Sequence, residues 1–225
     1  MQNTDTLIRI YNHLLINVEY LSNHGLYYGK TGCLIFFAQV ARLFDDEIAD
    51  EVVVELINEI FSSIGNIFSL NIPDGLCGIG WGVEYILQNQ LMEGDSDYIL
   101  ADLDKMIQNN QIETVISSDV LADVIQYVAI RLTSICGLNR DNPFPCSYLL
   151  ELYQAAQNTK IISDFSINNY INIIKKVLEK GRFRRKPLIL TLEMTGQVSF
   201  DKFPFIPLGL HNGLSGLGIK LLKRN

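Results

Sequence analysis

The side chains in this chain that could do chemistry stand beside glycines. His24 precedes Gly25 and Cys33 follows Gly32, so an imidazole and a thiol bracket one glycine-rich block and could serve as base and nucleophile. No third group that would orient such a pair is visible, and a histidine at a helix start also serves as a plain cap or surface residue. Inside the same block, Gly25-Leu-Tyr-Tyr-Gly29-Lys30-Thr31 imitates a phosphate loop. A Walker loop needs four residues between its glycines and a strand before them; here there are three, after a segment with helical spacing. A second block holds Asp74, Cys77, Trp81 and Glu84. Asp74 and Glu84 are the only acidic residues within a glycine block, the minimum a two-carboxylate hydrolase would need. Asp74 also reads as the cap of the helix after it, and Trp81 as either core filling or the wall of a peptide groove. A third block carries His211-Asn212-Gly213. The four cysteines (Cys33, Cys77, Cys136, Cys146) contain no CxxC pair, so neither a disulfide framework nor a zinc ribbon is indicated.

The elements that must position these residues are helices. Apolar residues at spacings of three and four mark residues 4–22 (Leu7, Ile10, Leu14, Val18) and 45–64 (Ile48, Val52, Leu56, Ile60), the latter opened by Asp45, Asp46 and Glu47. Residues 96–109, 115–135, 146–157 and 166–180 continue the pattern, with Ser96 and Ser166 as N-caps. Residues 187–192 suit a strand or a short buried helix equally well. The chain is therefore expected to be all-α, a single domain over residues 1–225.

Composition narrows the class further. With 48% apolar and 19% charged residues among 225, there is ample material for a core. No apolar stretch reaches the roughly 20 residues of a membrane span, and the first residues lack the features of a secretion signal, so a cytoplasmic protein without membrane contact is expected. The net charge is −7. It is uneven: residues 1–110 hold 4 Lys/Arg against 16 Asp/Glu, and residues 111–225 hold 14 against 9. An acidic total argues against nucleic acid as a partner. The basic residues gather at Lys175, Lys176, Lys180, Arg182, Arg184, Arg185 and Lys186, which reads as a basic last helical turn followed by a solvated loop, or as a hold for an acidic partner.

The chain also repeats itself. Gly25-Leu26 with Gly32 recurs as Gly75-Leu76 with Gly82 and as Gly209-Leu210 with Gly216. The repeats span 25–43, 75–91 and 209–222, and a degenerate unit without glycines lies near 119–132. Glycine costs about 1 kcal/mol in a helix interior relative to alanine, so several per repeat require a packing reason, and close approach of backbones is the natural one. Glycine-faced helices alternating with amphipathic, acidic ones suggest buried inner and wetted outer helices.

The blocks GLYYGKTGCLIFFAQVAR, DGLCGIGWGVEYILQ and GLHNGLSGLGIKLL resemble the inner-helix repeats of bacterial lanthionine synthetase C-like proteins. The resemblance implies an α/α toroid of inner and outer helices. In the family's enzymes a zinc ion at the mouth of the toroid activates a peptide cysteine, which adds to a dehydrated serine or threonine to form a thioether ring. The family's Cys-His-Gly position reads His211-Asn212-Gly213 here, and no Trp-Cys-Tyr-Gly block occurs. Only Cys77 and His211 stand at ligand-like positions, so no cofactor is expected, with zinc at these two residues as the alternative. A ring of about seven helix pairs would need roughly 350 residues, which implies an incomplete or reduced ring. The expectation is a pseudoenzyme of ribosomal peptide maturation whose partner is a precursor peptide or a peptide-modifying enzyme. Trp81, Cys77, His211 and Asn212 would touch the modified part of the peptide, and Lys176, Arg182, Arg184 and Arg185 an acidic leader; Asp74 and His211 are the residues to consider if anything is catalysed. The alternatives are a zinc-dependent cyclase, an α/α-toroid hydrolase using Asp74 and Glu84, and a structural module that forms homodimers through an open edge.

Overall fold

The computed structural model describes residues 2–117, 119–134, 142–159, 165–180, 188–190 and 205–223. Among them every regular element is helical: α1 (Gln2–Asn17), α2 (Lys30–Phe44), α3 (Glu47–Ser63), α4 (Leu76–Gln88), α5 (Ser96–Ile99), α6 (Ala101–Gln108), α7 (Ile112–Ser117), α8 (Leu121–Ser134), α9 (Cys146–Asn158), α10 (Phe165–Leu178) and α11 (Leu214–Leu222). Of residues 187–192, only 188–190 are described, and they are neither strand nor helix. No described helix is long and apolar enough to cross a membrane. Contacts divide the chain into two compact units, Met1–Glu93 with Ile189–Asn225, and Gly94–Leu188.

In the first unit, α1 buries Leu7, Ile10 and Leu14, and Val18 closes the same stripe from the 3-10 turn that follows. α3 departs from its expected face. Val52, Leu56 and Ile60 are buried, but Ile48 is 56% exposed and Ala49 and Val53 fill the core instead. Successive steps of four overshoot a full helical turn by about 40° each, so a line that faces the core at Ile60 has rolled away from it by Ile48. The helix starts where Asp46 accepts the Ala49 N–H at 2.8 Å, while Asp45, with φ 54, ends α2 in the left-handed region.

The helices that begin with glycine behave differently. α2 is buried from Lys30 to Val40 and α4 from Leu76 to Ile86, with no solvent face along these stretches. α4 lies beside α2, α2 beside α11, and α11 beside α1, so the third copy of the repeat neighbours the first and not the second. The backbone also corrects the register of the repeat. Lys30 N–H donates to the Asn23 carbonyl, Leu76 N–H to Ser69 and Leu214 N–H to Pro207, each closing seven residues back at 2.8–2.9 Å. The equivalent helix-capping glycines are therefore Gly29, Gly75 and Gly213, all extended (φ −124, −103 and −113) and none with a side-chain cap. Gly75 matches Gly29, not Gly25. The shared signature is Gly-x-x-Gly: Gly29–Gly32, Gly75–Gly78 and Gly213–Gly216. Asp74 accordingly does not cap α4 as the sequence suggests; Gly75 holds that position.

The second glycine of the first two signatures has a steric cause. A Cβ on Gly32 would lie 2.6 Å from the Leu26 carbonyl oxygen and 2.9 Å from Leu210 N. A Cβ on Gly78 would overlap the Ile72 carbonyl and sit 3.1 Å from Leu26 Cβ. At both positions the helix lies against its own lead-in loop and the loop of the next repeat.

In the second unit, the segment expected as one helix over 96–109 breaks at Leu100 into α5 and α6, and Asp95, not Ser96, caps α5 by accepting the Asp97 N–H. The 115–135 segment likewise splits into α7 and α8. α8, the degenerate repeat unit, is buried on most sides and packs on α10, which also packs on α9. Its Arg131 is fully buried, held by Asp104 at 2.8–3.3 Å, Asp97 at 3.1 Å, Ser96 at 3.3 Å and Ser134 at 3.0 Å. Tyr127 donates to the same Asp104 carboxylate at 2.6 Å.

Gly32→Ala should lower unfolding free energy by about 1–3 kcal/mol, since only backbone could yield, and urea titration reads it. Gly65→Ala, whose Cβ meets nothing within 4 Å, should be nearly neutral in the same assay. Arg131→Met should cost about 3–5 kcal/mol because it strands Asp104 in the core, and adding Asp104→Leu should restore part of that loss.

Candidate functional site

The three glycine-capped helices present their lead-in loops as one row in the first unit. Tyr27 N–H donates to the Pro73 carbonyl at 2.8 Å, and His211 N–H to the Tyr27 carbonyl at 3.0 Å. Pro73, Tyr27 and His211 are equivalent positions, so the same edge of each loop is stitched to the next. Gly25 and Gly209 make this possible: a Cβ on Gly25 would lie 2.7 Å from the Pro73 oxygen, and one on Gly209 would overlap the Tyr27 oxygen.

Side chains on this row form an aromatic and polar cluster. The His211 ring stacks on Tyr27 (centroids 5.7 Å apart, 15° between planes), and Tyr28 meets both edge-on at 5.6 and 6.3 Å. Asn212, exposed and with φ 50, places Nδ2 3.2 Å from His211 Nε2. On the other side, Asn23 donates to the Asp74 carboxylate at 2.8 Å and accepts from Gly25 N–H at 2.7 Å, and Asn71 accepts from Asp74 N–H at 2.8 Å. Tyr28 is 42% exposed, and Phe68 and Phe205, on the segments leading into α4 and α11, are 91% and 86% exposed.

Below the row lies a charged contact. Lys30 is 1% exposed; its ammonium pairs with Glu59 of α3 and donates to the Glu19 carbonyl at 3.2 Å. Thr31 donates its hydroxyl to the His24 carbonyl at 2.6 Å. The Lys30 and Thr31 side chains are thus both engaged by the protein itself. His24 has a buried Nδ1 without a hydrogen bond. Burial, helped by the Lys30 charge, lowers its pKa below the usual 6.5. Cys33 is no nucleophile in this setting: its thiol lies 3.6 Å from the Leu208 carbonyl, and burial pushes its pKa up to about 11.

The expected site residues separate. His211, Asn212 and Asp74 come to the loop row. Cys77 and Trp81 are buried in α4, Cys77 completely, with Trp81 stacked on Tyr85 at 5.5 Å. In the structural register Cys77 matches Thr31 and Ser215 within the helix, and the counterpart of Tyr27 is Pro73, so the alignment that gave Cys77 a ligand-like position does not hold. Cys77 and His211 belong to α4 and to the α11 loop, with the α2 repeat between them. Among the described residues no three His, Cys, Asp or Glu side chains form a group suited to a metal ion. A zinc site needs about three or four such ligands at one point, and these two residues do not fit it. Glu84 is fully buried two turns into α4, bonded by Gln88 at 2.9 Å. Nine residues of helix rise, about 13 Å, part it from the Asp74 loop, beyond the roughly 5–9.5 Å of a glycosidase pair. Lys176 is exposed on α10 in the second unit, and Arg182, Arg184 and Arg185 lie outside the described residues. Sequence reasoning missed Tyr27, Tyr28 and Asn23. The Gly-x-x-Gly signature, read in place of Gly-Leu, would have aligned them.

Compared with protein-family models, curated proteins and solved structures, the chain matches none.

The lowered pKa of His24 gives a pH dependence. Above pH 6.5 folded and unfolded chains both carry a neutral ring, and as pH falls below 6.5 the unfolded chain takes up a proton that the folded one resists. Stability should therefore decline with falling pH from about 6.5, and His24→Gln should flatten that part of the profile, read by urea midpoints along a pH series.

Proposed function

We propose that this chain is a reduced lanthionine synthetase C-like protein that binds a ribosomally made precursor peptide, or the enzyme that modifies it, and does not itself close thioether rings. The observation that carries the reading is the thrice-repeated Gly-x-x-Gly helix start with its seven-residue closure, since this is the element whose sequence resembles the family's inner helices. In the reduced toroid this implies, α2, α4 and α11 are inner helices and α1 and α3 outer ones. The exposed aromatics Tyr28, Phe68 and Phe205 beside the laced loops supply contact area at low entropic cost, as peptide-binding surfaces require. The non-catalytic part of the reading rests on chemistry: His211 has Tyr27 stacked on it where a ligand set would need thiols and imidazoles.

The test is calorimetric titration with the precursor peptide encoded beside the gene. One-to-one binding is expected, weakened about tenfold by Tyr28→Ala or Phe68→Ala. Absence of binding to both the peptide and its modifying enzyme would end the proposal. A zinc titration decides the second half: stoichiometric uptake abolished by Cys77→Ser with His211→Ala would make the protein a cyclase after all.

A further inference from the structure

The net charge of the chain belongs to one of its two units. Met1–Glu93 with Ile189–Asn225 holds 7 Lys/Arg against 14 Asp/Glu, a net of −7, whereas Gly94–Leu188 holds 11 of each. In the first unit the excess is densest on α3, which carries Glu47, Asp50, Glu51, Glu55 and Glu59 and no Lys or Arg. Lys30 answers Glu59. The other four are exposed and, among the described residues, make no ion pair. With about 100° between successive residues, Glu47, Glu51 and Glu55 run down the middle of the outward face, with Ile48 on one side and Val54 on the other. Like charges four residues apart oppose the helix that carries them. Ile48 and Val54 are more than half exposed, and so are Leu43 and Phe44, which end α2 just before this helix starts. Four large apolar side chains thus stand in water among unpaired carboxylates, and a surface that covers them must bring apolar area and positive charge together.

The chain carries such a surface itself. The end of α10 and the turn after it expose Lys175, Lys176 and Lys180, with Val177 and Leu178 half-buried between them. Lys175 lies 3.8 Å from Glu179, while Lys176 and Lys180 make no ion pair among the described residues. From this complementarity we infer that the α3 face is a docking surface for a second copy of this chain, which brings the basic end of its own α10. The incoming lysines offset the repulsion along Glu47, Glu51 and Glu55, and Val177 and Leu178 give Phe44 and Ile48 apolar cover. The two patches differ, so the contact is heterologous. Each copy in a pair keeps one patch of either kind free, and association runs head to tail until a rotation closes it into a ring. Because exposed charges lead the contact, its strength falls as salt rises.

The experiment is sedimentation of the purified full chain over a concentration series at low and high salt. The expected result is a mass that climbs above one copy with concentration at low salt, with association weakened about tenfold or more at high salt. Glu47→Lys, Glu51→Lys and Glu55→Lys together should leave single copies, and so should Lys175→Glu, Lys176→Glu and Lys180→Glu together. Mixing these two variants should restore association, because each then carries what the other lacks. Should circular dichroism show either reversed chain unfolded, Glu→Gln at the three α3 positions and Phe44→Ser with Ile48→Ser, all at exposed side chains, replace it, each weakening association about tenfold. A wild-type chain that stays single at every concentration in low salt overturns the inference, whether α3 is then bare, covered by its own chain or reserved for another protein. Association that survives either reversal or the replacement variants, or folded variants that fail to associate when mixed, overturns it as well.

Discussion

Everything in the first unit hangs on backbone meeting backbone where no Cβ can fit. Each of α2, α4 and α11 starts by turning its first N–H back onto a carbonyl seven residues earlier, which folds the lead-in loop over the helix's own first turn. The carbonyl of Leu26 or Ile72 then presses on the helix at Gly32 or Gly78. Glycine there gives up about 1 kcal/mol of helix propensity, and in return the orphan N–H groups of a buried helix end are satisfied without water or a side-chain cap. The same lack of Cβ at Gly25 and Gly209 lets one loop lie on the next. Helix start, loop shape and repeat stacking are one steric fact seen from three sides.

Charge is placed according to this arrangement. Lys30 follows a capping glycine and is buried, and its side chain pairs with Glu59 on α3, so the pair ties α2 to α3. Arg131 solves the corresponding problem in the second unit, where two carboxylates and two serines take up its donors. Buried charges that are fully hydrogen-bonded add little net stability but exclude competing packings, because a shift in either helix would leave an ion unpaired. The loop row is different. It carries exposed Tyr28 and Asn212 and half-buried Asp74 and His211.

How much of this was legible beforehand depended on the signal. The all-helical class followed from periodicity, and α1's buried stripe appeared where spacing put it. Helix starts were harder. Ser96 looked like a cap because its type suits one, but Asp95 is a residue earlier and accepts the same kind of bond. The breaks at Leu100 and between α7 and α8 carry no glycine or proline to announce them. The repeat itself was visible and its register was not, since the third block offers Gly-Leu at both Gly209 and Gly213, and the backbone closure selects Gly213 as the partner of Gly75. That four-residue error moved Cys77 from the helix interior to an imagined site edge. The stacking of His211 on Tyr27 joins residues far apart in sequence, and no local pattern encodes it.

The neighbour order α4, α2, α11 has a consequence for how the chain is made. Because α11 sits against α1 and α2, the wall of the first unit cannot be completed until the ribosome has passed residue 214, and all of Gly94–Leu188 is synthesised in between. Loop closure over such a span is slow, and until it happens the apolar flank of α2 that receives α11 has no cover. The nascent protein thus spends its synthesis with Phe36 and its neighbours unshielded, and the Gly94–Leu188 unit is fully made before α11 is available.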